Sequence, residues 1–315
     1  MREALEHVGE LLVVLGSSRA ARSARNPFTA RERAAFVRAA LGEAGERVRF
    51  ALVRDFYDMA RWAGAVREAA GAVAPQGAEI VLLGHEKDAS SAYLREFPAW
   101  TFRPTKVRSD LSATSVREAL WRQDWVEVEA SVPPAVAAFL RGFAVTPEFR
   151  ELREEAEVLR GWHASWQGSP QAPTFLAAHA LISDPERVLL VRRTQGPGRD
   201  LLMLPGGPLR PGLTLRASLN QDLQAQTAFA PQTLPFARLF DHPDRSPLGR
   251  EVAGVFREEV RTLPATPTTL PLHDALTRPE AFYADHHRML EVLLGREELP
   301  PFELLPDPAG TLDGR

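Results

Sequence analysis

Ile80-Val81-Leu82-Leu83-Gly84-His85-Glu86-Lys87-Asp88-Ala89-Ser90-Ser91 and, further along, Ser112-Ala113-Thr114-Ser115-Val116-Arg117 form the stretch that decides the reading of this chain. Consecutive apolar residues closed by a glycine read as a short buried strand, and polar groups at the carboxyl end of such a strand mark where open α/β sheets bind ligands. The second piece places hydroxyls at Ser112, Thr114 and Ser115 in the first turn of a helix, with Arg117 one turn on. Unpaired N–H groups, hydroxyls and a guanidinium together suit a phosphate chain. An ordinary N-cap at Ser112 and a solvated Arg117 would leave the same pattern.

Outward from this stretch, Leu11-Leu12-Val13-Val14-Leu15 reads as a fully buried parallel strand, stopped by Gly16-Ser17-Ser18. Thr29 with Glu32 three residues later has the form of a capping box, and Ala34–Leu41 continues that helix. Val48–Val53 reads as a strand, Met59–Ala70 as a helix and Ile80–Leu83 as the next strand. Apolar strands alternating with helices predict a parallel sheet with crossover helices. Past Arg117 the pattern stays helical, with further helices over Pro133–Phe143 and Pro147–Trp162.

Gly168-Ser169-Pro170-Gln171-Ala172-Pro173 reads as a linker, and beyond it the character changes. Strands over Phe175–Ile182 and Val188–Val191 flank the turn Ser183-Asp184-Pro185-Glu186, and Leu204-Pro205-Gly206-Gly207 leads into a helix at Leu215–Thr227. Strands at Phe236–Phe240 and Val252–Val260 and a helix at Tyr283–Leu294 complete an α+β unit with a mixed sheet. The expected division is 1–145 for the first domain, 146–172 for a linker helix and linker, 173–300 for the second domain, and 301–315 for a Pro-rich, poorly ordered tail.

Composition narrows the function classes. A chain of 315 residues has room for two cores, and 44% hydrophobic with 25% charged residues is ordinary for a globular protein. A net charge of -3 argues against a nucleic-acid or anionic-membrane surface. The absence of cysteine removes disulfides, thiolate metal sites and thiol nucleophiles together. No apolar run approaches the roughly 20 residues that span a bilayer, and the first residues do not read as a signal peptide, so the cytoplasm is the expected location.

Several motifs then fall into one family arrangement, in order. Gly16-Ser17-Ser18, Asn26-Pro27-Phe28-Thr29, Glu32-Arg33, Asp55 with Tyr57 and Trp62, Gly84-His85-x-Lys87-Asp88-x-Ser90-Ser91, Phe97-Pro98-x-Trp100 and Ser112-x-Thr114-x-x-Arg117 resemble a nicotinamide mononucleotide adenylyltransferase. Ser165-Trp166, Pro173-Thr174-Phe175, Leu204-Pro205-Gly206-Gly207 and Asp241-His242-Pro243-Asp244-Arg245-Ser246 with Gly249-Arg250 resemble the Nudix domain fused to such enzymes. The resemblance implies an α/β fold: a Rossmann-like nucleotidyltransferase domain followed by a Nudix α/β/α sandwich. It also implies ATP with Mg²⁺ and nicotinamide mononucleotide as substrates, NAD as product and no tightly bound cofactor. By similarity Ser112, Thr114 and Arg117 hold ATP phosphates, and Gly84 lets the nucleotide approach the strand end. Gly16, Ser17, His85, Lys87 and Asp88 contact the nucleotide, while Asp55 and Trp62 take the nicotinamide side, Trp62 by stacking. A core aromatic on an amphipathic helix is the competing reading of Trp62. In the second domain Gly206, Gly207, Arg245 and Arg250 form the ligand loop, for which a solvated basic loop is the alternative.

Two departures from the family pattern matter. No His-x-Gly-His occurs in the chain; His7, His85 and His163 stand apart. Such enzymes carry that signature on a first strand that is also central to the sheet, so the strand is expected to be missing from this chain. A start upstream of Met1, a decayed domain, or a Met1–Leu15 segment reorganised to fill the gap would each account for it. In the Nudix box, the glutamate position after Gly207 reads Leu213, the Arg-Glu pair reads Gln221-Asp222, and the Glu-Glu pair reads Ala225-Gln226. Only Asp222 keeps a negative charge, a poor cage for a hydrated Mg²⁺. Leu215, Leu219 and Leu223 keep the apolar stripe of the helix, so the expectation is a retained scaffold without hydrolase activity. Asp285-His286-His287 points in different directions around a helix and is not expected to bind metal. Three functions remain: an adenylyltransferase with an inactive Nudix-like domain, a non-catalytic binder of NAD or ADP-ribose, and an active ADP-ribose pyrophosphatase.

Overall fold

The computed structural model describes residues 1–84, 89–105, 112–169, 173–227, 229, 233–266 and 268–306, with the backbone alone for 89–92. His85, Lys87 and Asp88 therefore lie outside the described residues. The chain divides into two compact units. The first comprises residues 1–19, 28–150 and 300–306, and the second comprises 20–27 and 151–299.

In the first unit one turn of helix, α1 (Arg2–Leu5), precedes β1 (Leu11–Leu15), which pairs in parallel with β2 (Val48–Val53) from Leu11 opposite Val48 to Leu15 opposite Leu52. The crossover is α2 (Ala30–Leu41), whose N-terminus is fixed by the expected capping box: Thr29 accepts from the Glu32 N–H while the Glu32 carboxylate accepts from the Thr29 N–H. The unbroken apolar run of β1 has a direct cause. Leu11, Val13 and Leu15 pack with Ala34, Leu41 and Phe50 on one face, and Leu12 and Val14 pack with Ala63 and Val66 of α3 (Met59–Val73) on the other. Both faces are covered, so neither can be polar.

Next come β3 (Val81–Gly84) and β4 (Thr101–Pro104), a second parallel pair. Leu82 of β3 packs on the same cluster as Leu12 and Val14, yet β1 and β3 do not pair with each other, and each keeps one edge unpaired among the described residues. The idea that Met1–Leu15 reorganises to fill a strand position is not met, because Leu11–Leu15 pairs with β2 alone. Helices α4 (Ala113–Arg122), α5 (Trp125–Ser131) and α6 (Pro134–Phe143) follow, and α7 (Pro147–Ala164) runs from the first unit into the second.

The second unit is built on β5 (Phe175–Ser183), a buried central strand. After it come β6 (Arg187–Leu189), β7 (Val191–Arg192), β8 (Leu202–Met203), β9 (Gly206–Pro208) and α8 (Leu215–Thr227). Beyond these lie β10 (Phe236–Phe240), β11 (Glu251–Glu259), β12 (Thr269–Pro271), α9 (Leu272–Thr277) and α10 (His286–Leu294). The main sheet runs β10-β11-β5-β6-β12, with β11 parallel to β5 and β9 antiparallel to it. Alternate residues of β5 serve opposite layers. Ala178, Ala180 and Ile182 meet Leu219 and Leu223 of α8, whereas Ala177 and Leu181 meet Leu272 and Leu276 of α9 and Met289 and Leu290 of α10. This is the expected α/β/α sandwich, with the apolar stripe of α8 as its inner face.

The poorly ordered tail expected from 301 requires correction over its first residues. Phe302–Leu304 forms β13, antiparallel to β2, with Phe302 opposite Val53 and Leu304 opposite Ala51. Phe302 and Leu304 reach the apolar cluster under α3, and Glu303 pairs with Arg31 and Arg19. The prolines around this strand masked its alternation of apolar and charged residues. No helix among the described residues is long and apolar enough to cross a membrane.

Candidate functional site

The first-unit site begins at the carboxyl end of β1. Ser17 sits at φ 48°, a conformation uncommon for a residue with a side chain. Asp55 holds it there: one oxygen, Oδ1, accepts from the Ser17 N–H and the Ser17 hydroxyl, both at 3.1 Å. From α2, Arg33 donates to the Gly16 carbonyl at 2.8 Å and to that of Ser17 at 3.4 Å. Burial lowers the Arg33 pKa, with Asp55 opposing, so a desolvated cation stands behind the loop. The structure brings Gly16, Ser17 and Asp55 together, with Arg33 added. Arg33 was legible only as part of the motif Glu32-Arg33, because nothing in sequence says which way a helical arginine faces.

Ser112, Thr114 and Arg117 form a second group at the start of α4. Ser112 is the N-cap, its Oγ accepting from the Ser115 N–H at 3.0 Å, and Arg117 donates to Thr114 Oγ1 at 3.2 Å. Ser112 and Thr114 are exposed. Within the cap Ser112 Oγ also donates to Ser115 Oγ at 3.0 Å, so a phosphate would compete for that proton. Trp62 lies in an aromatic cluster, edge-to-face with Tyr93 at 5.8 Å and Phe97 at 6.1 Å, and is half-buried. Asp58 caps α3 by accepting from the Arg61 N–H at 3.0 Å. Gly84 is also closely packed. A Cβ there would lie 3.0 Å from Leu94 Cδ2 and 3.3 Å from the Phe102 ring, so a side chain would need those neighbours to give by a few tenths of an ångström.

In the second unit a cavity of ≈ 600 Å³ is lined by Arg192, Arg193, Met203, Gly207, Asp222 and Gln226 among others. Its floor depends on Gly206, which sits at φ +130° with an added Cβ only 2.1 Å from the Ala178 carbonyl oxygen. Gln226 clasps the same residue from both sides: Gly206 N–H donates to Gln226 Oε1 and Gln226 Nε2 donates to the Gly206 carbonyl, each at 2.8 Å. Asp222 is buried and ion-paired with Arg210, whose own N–H donates to Ser218 Oγ at 3.1 Å. Arg193 donates to the Pro197 carbonyl at 2.8 Å, and its guanidinium lies 3.9 Å over the Tyr283 ring.

One expected ligand group is corrected. Arg245 is buried in pairs with Asp285 and Glu251, so its charge is used inside the unit. Burial works to lower its pKa, but Asp285 and Glu251 more than offset this and raise it. Arg250 donates to the Asp241 carbonyl and keeps other guanidinium donors for the ligand expected there. Asp285, His286 and His287 each have a separate partner: the Arg245 guanidinium, the Leu204 N–H and the Leu276 carbonyl. Among the described residues no group of three or more His, Cys, Asp or Glu could hold a metal ion. The donor set around Asp222 does not fit a divalent cation. Its carboxylate is neutralised by Arg210, Ala225 offers no donor, and the Gln226 amide is spent on Gly206. Arg210 and Gln226 escaped sequence reading because one precedes the helix and the other read only as a lost glutamate.

No family model matches the chain. It is 30% identical over 154 residues to the nicotinamide/nicotinic acid mononucleotide adenylyltransferase of Acinetobacter baylyi, covering 48% of this chain and 81% of that one. It is 26% identical over 81 residues to an ADP-ribose pyrophosphatase of Methanocaldococcus jannaschii, covering 26% of this chain and 48% of that one. Among solved structures, a bifunctional NMN adenylyltransferase/ADP ribose pyrophosphatase from Francisella tularensis superposes with a TM-score of 0.84 at 23% identity, over 93% of each chain. A second structure of it, complexed with AMP and a manganese ion, gives 0.83 at 22% over the same coverage. The fold is therefore that of a Rossmann-like unit joined to a Nudix unit, and the chain belongs to the nicotinamide/nicotinic acid mononucleotide adenylyltransferase family.

Proposed function

We propose that the chain transfers the adenylyl group of ATP to nicotinamide mononucleotide, forming NAD. A phosphate oxygen of the mononucleotide attacks the α-phosphorus of ATP. The bond from that phosphorus to the oxygen bridging to the β-phosphate breaks, and pyrophosphate leaves with the electron pair. No protein nucleophile is needed, so positioning and charge neutralisation do the work. Ser112, Thr114 and Arg117 hold the ATP phosphates, and Ser17, fixed by Asp55, presents its loop to the mononucleotide. Trp62 stacks on the nicotinamide ring. His85, Lys87 and Asp88 complete the reading from sequence. Mg²⁺ entering with ATP spreads the negative charge of the phosphates. The observation that carries this reading is the match over 81% of the Acinetobacter enzyme. Incubation with ATP, nicotinamide mononucleotide and Mg²⁺, followed by detection of NAD and pyrophosphate, tests it; no product under any condition overturns it.

The second unit is proposed to have lost Nudix hydrolysis, on the Arg210–Asp222 pair and the Gln226 clasp. AMP released from ADP-ribose at an ordinary enzyme rate with Mg²⁺ or Mn²⁺ would refute this and favour an active pyrophosphatase. A non-catalytic NAD or ADP-ribose binder is the second reading, favoured by the Arg210–Asp222 pair beside the second-unit cavity. It predicts ligand binding by calorimetry with no turnover in either assay.

A further inference from the structure

The second-unit cavity contains one carboxylate among its described lining residues, Asp222, and that charge is cancelled from within the protein. Arg210 is placed by two independent bonds. Its N–H reaches Ser218 Oγ at 3.1 Å, and its guanidinium pairs with Asp222, one helical turn further along α8. Ser218 is fully buried and Asp222 nearly so, so the guanidinium is anchored to a rigid face rather than to a mobile surface group. Arg210 meets the cavity through its partner Asp222, whereas Arg192 and Arg193 line it directly. Arg192 is braced by the Asp200 carbonyl and Arg193 by the Pro197 carbonyl. A guanidinium has five N–H donors, so these bonds leave both with donors to spare.

We infer that this cavity binds a diphosphate ester without a divalent cation, with the Arg210 guanidinium supplying beside Asp222 the positive charge that a metal would otherwise bring. The inference rests on the reading that the second unit does not hydrolyse, and it goes beyond it by stating what the altered site still does. An acidic cage repels a diphosphate until a cation bridges the two. With Asp222 neutralised, Arg192 and Arg193 leave the cavity with excess positive charge. Planar guanidinium groups match phosphate oxygens two bonds at a time. A volume of ≈ 600 Å³ falls within the size of small-molecule sites.

The test is calorimetric titration of the full chain with ADP-ribose, once with excess EDTA and once with Mg²⁺. The expected dissociation constants agree within about threefold. Arg210→Ala is expected to weaken binding in EDTA by about tenfold or more, because it removes one cation and exposes the Asp222 charge. Asp222→Asn keeps Arg210 and removes the negative charge, and is expected to bind at least as tightly as the parent chain. It guards against an Arg210→Ala variant that fails to fold. Binding that appears only with the metal, an Asp222→Asn variant that loses binding while folded, or no binding in either buffer would overturn the inference. AMP release during the titration would instead refute the loss of hydrolysis, and failure of NAD formation would bear on the first unit alone.

Discussion

Arg245 and Asp285 face each other at 2.9 Å with both side chains 1% exposed, a charge pair closed off from solvent inside the second unit. Such a pair is tolerated because each ion desolvates against the other, and removing one partner leaves a buried charge unmatched. Arg245→Ala is expected to destabilise the second unit by about 3–5 kcal/mol, whereas replacing Arg245, Asp285 and Glu251 together by apolar residues should cost far less. Urea unfolding of the single and triple variants checks this. Equal losses in the two would show that packing, not charge, fixes the loop.

At the start of α4, capping and phosphate binding can be separated by charge. Ser112→Ala removes the cap and is expected to cost about 1 kcal/mol of stability. Ser112→Asp keeps a capping oxygen for the Ser115 N–H but sets a negative charge where ATP phosphates are proposed to lie. Stability should hold while KM for ATP rises about tenfold or more. An Asp variant with unchanged ATP kinetics would make Ser112 a cap and nothing else.

The parts of the fold that could be read from sequence are those fixed by short-range pattern. Leu11–Leu15, Val48–Val53 and Leu215–Thr227 were placed to the residue because unbroken or periodic apolar runs leave little choice. The site was legible only in part. Ser17 and Asp55 were named, but their bond crosses 38 residues, and no local signal encodes it. Arg245 was misread because a basic loop residue looks alike whether it meets solvent or a buried Asp285. Arg210 and Gln226 went unread for a related cause. They replace charges that the sequence only registers as missing, and their partners, Asp222 and the Gly206 peptide, become visible only in three dimensions.

Acid should weaken the second unit, with a slope that can be assigned. His179 is held down to about 3, by burial first and the Arg245 charge next, and burial also holds His286 well below its ordinary value. Groups with depressed pKa in the folded state bind more protons when unfolded. Their stability is full above the unfolded value of 6.5 and is lost as pH falls towards the folded pKa. Asp285 works the other way. Burial pushes it up to about 6, so its contribution is full below 3.8 and is lost as pH rises through 6. Between pH 6 and 4 the two histidines oppose the one carboxylate, so a net loss of stability is expected as pH falls. His179→Asn should flatten that slope, which urea midpoints across the range will show.

Gly206 offers the sharpest backbone test. Its φ of +130° and the 2.1 Å approach of an added Cβ to the Ala178 carbonyl leave no room for a side chain. Gly206→Ala is expected to break the β9–β5 pairing and release the Gln226 clasp, at a cost of about 3 kcal/mol or more. ADP-ribose binding should vanish with it, while NAD formation by the first unit continues. A folded, binding-competent Gly206→Ala variant would show that β9 can move, contrary to the close packing seen here.

The last strand carries a prediction about the first unit. β13 lies on the outer edge of β2, with the Leu305 N–H donating to the Phe50 carbonyl at 3.0 Å and the Arg54 N–H to the Pro301 carbonyl at 3.3 Å. Phe302 and Leu304 pack beside Ala51, Val53 and α3, one element away from the Asp55 that fixes Ser17. Ending the chain after Leu299 would expose a buried strand edge and uncover two large apolar side chains, at about 2–3 kcal/mol each if wholly lost. An open edge also invites pairing with another chain. The truncated protein is expected to unfold earlier in its first unit, to self-associate on gel filtration, and to lose NAD formation before it loses ADP-ribose binding. If truncation left first-unit stability and NAD formation intact, β13 would be an ornament on β2 rather than part of the structure that holds the nucleotide loop.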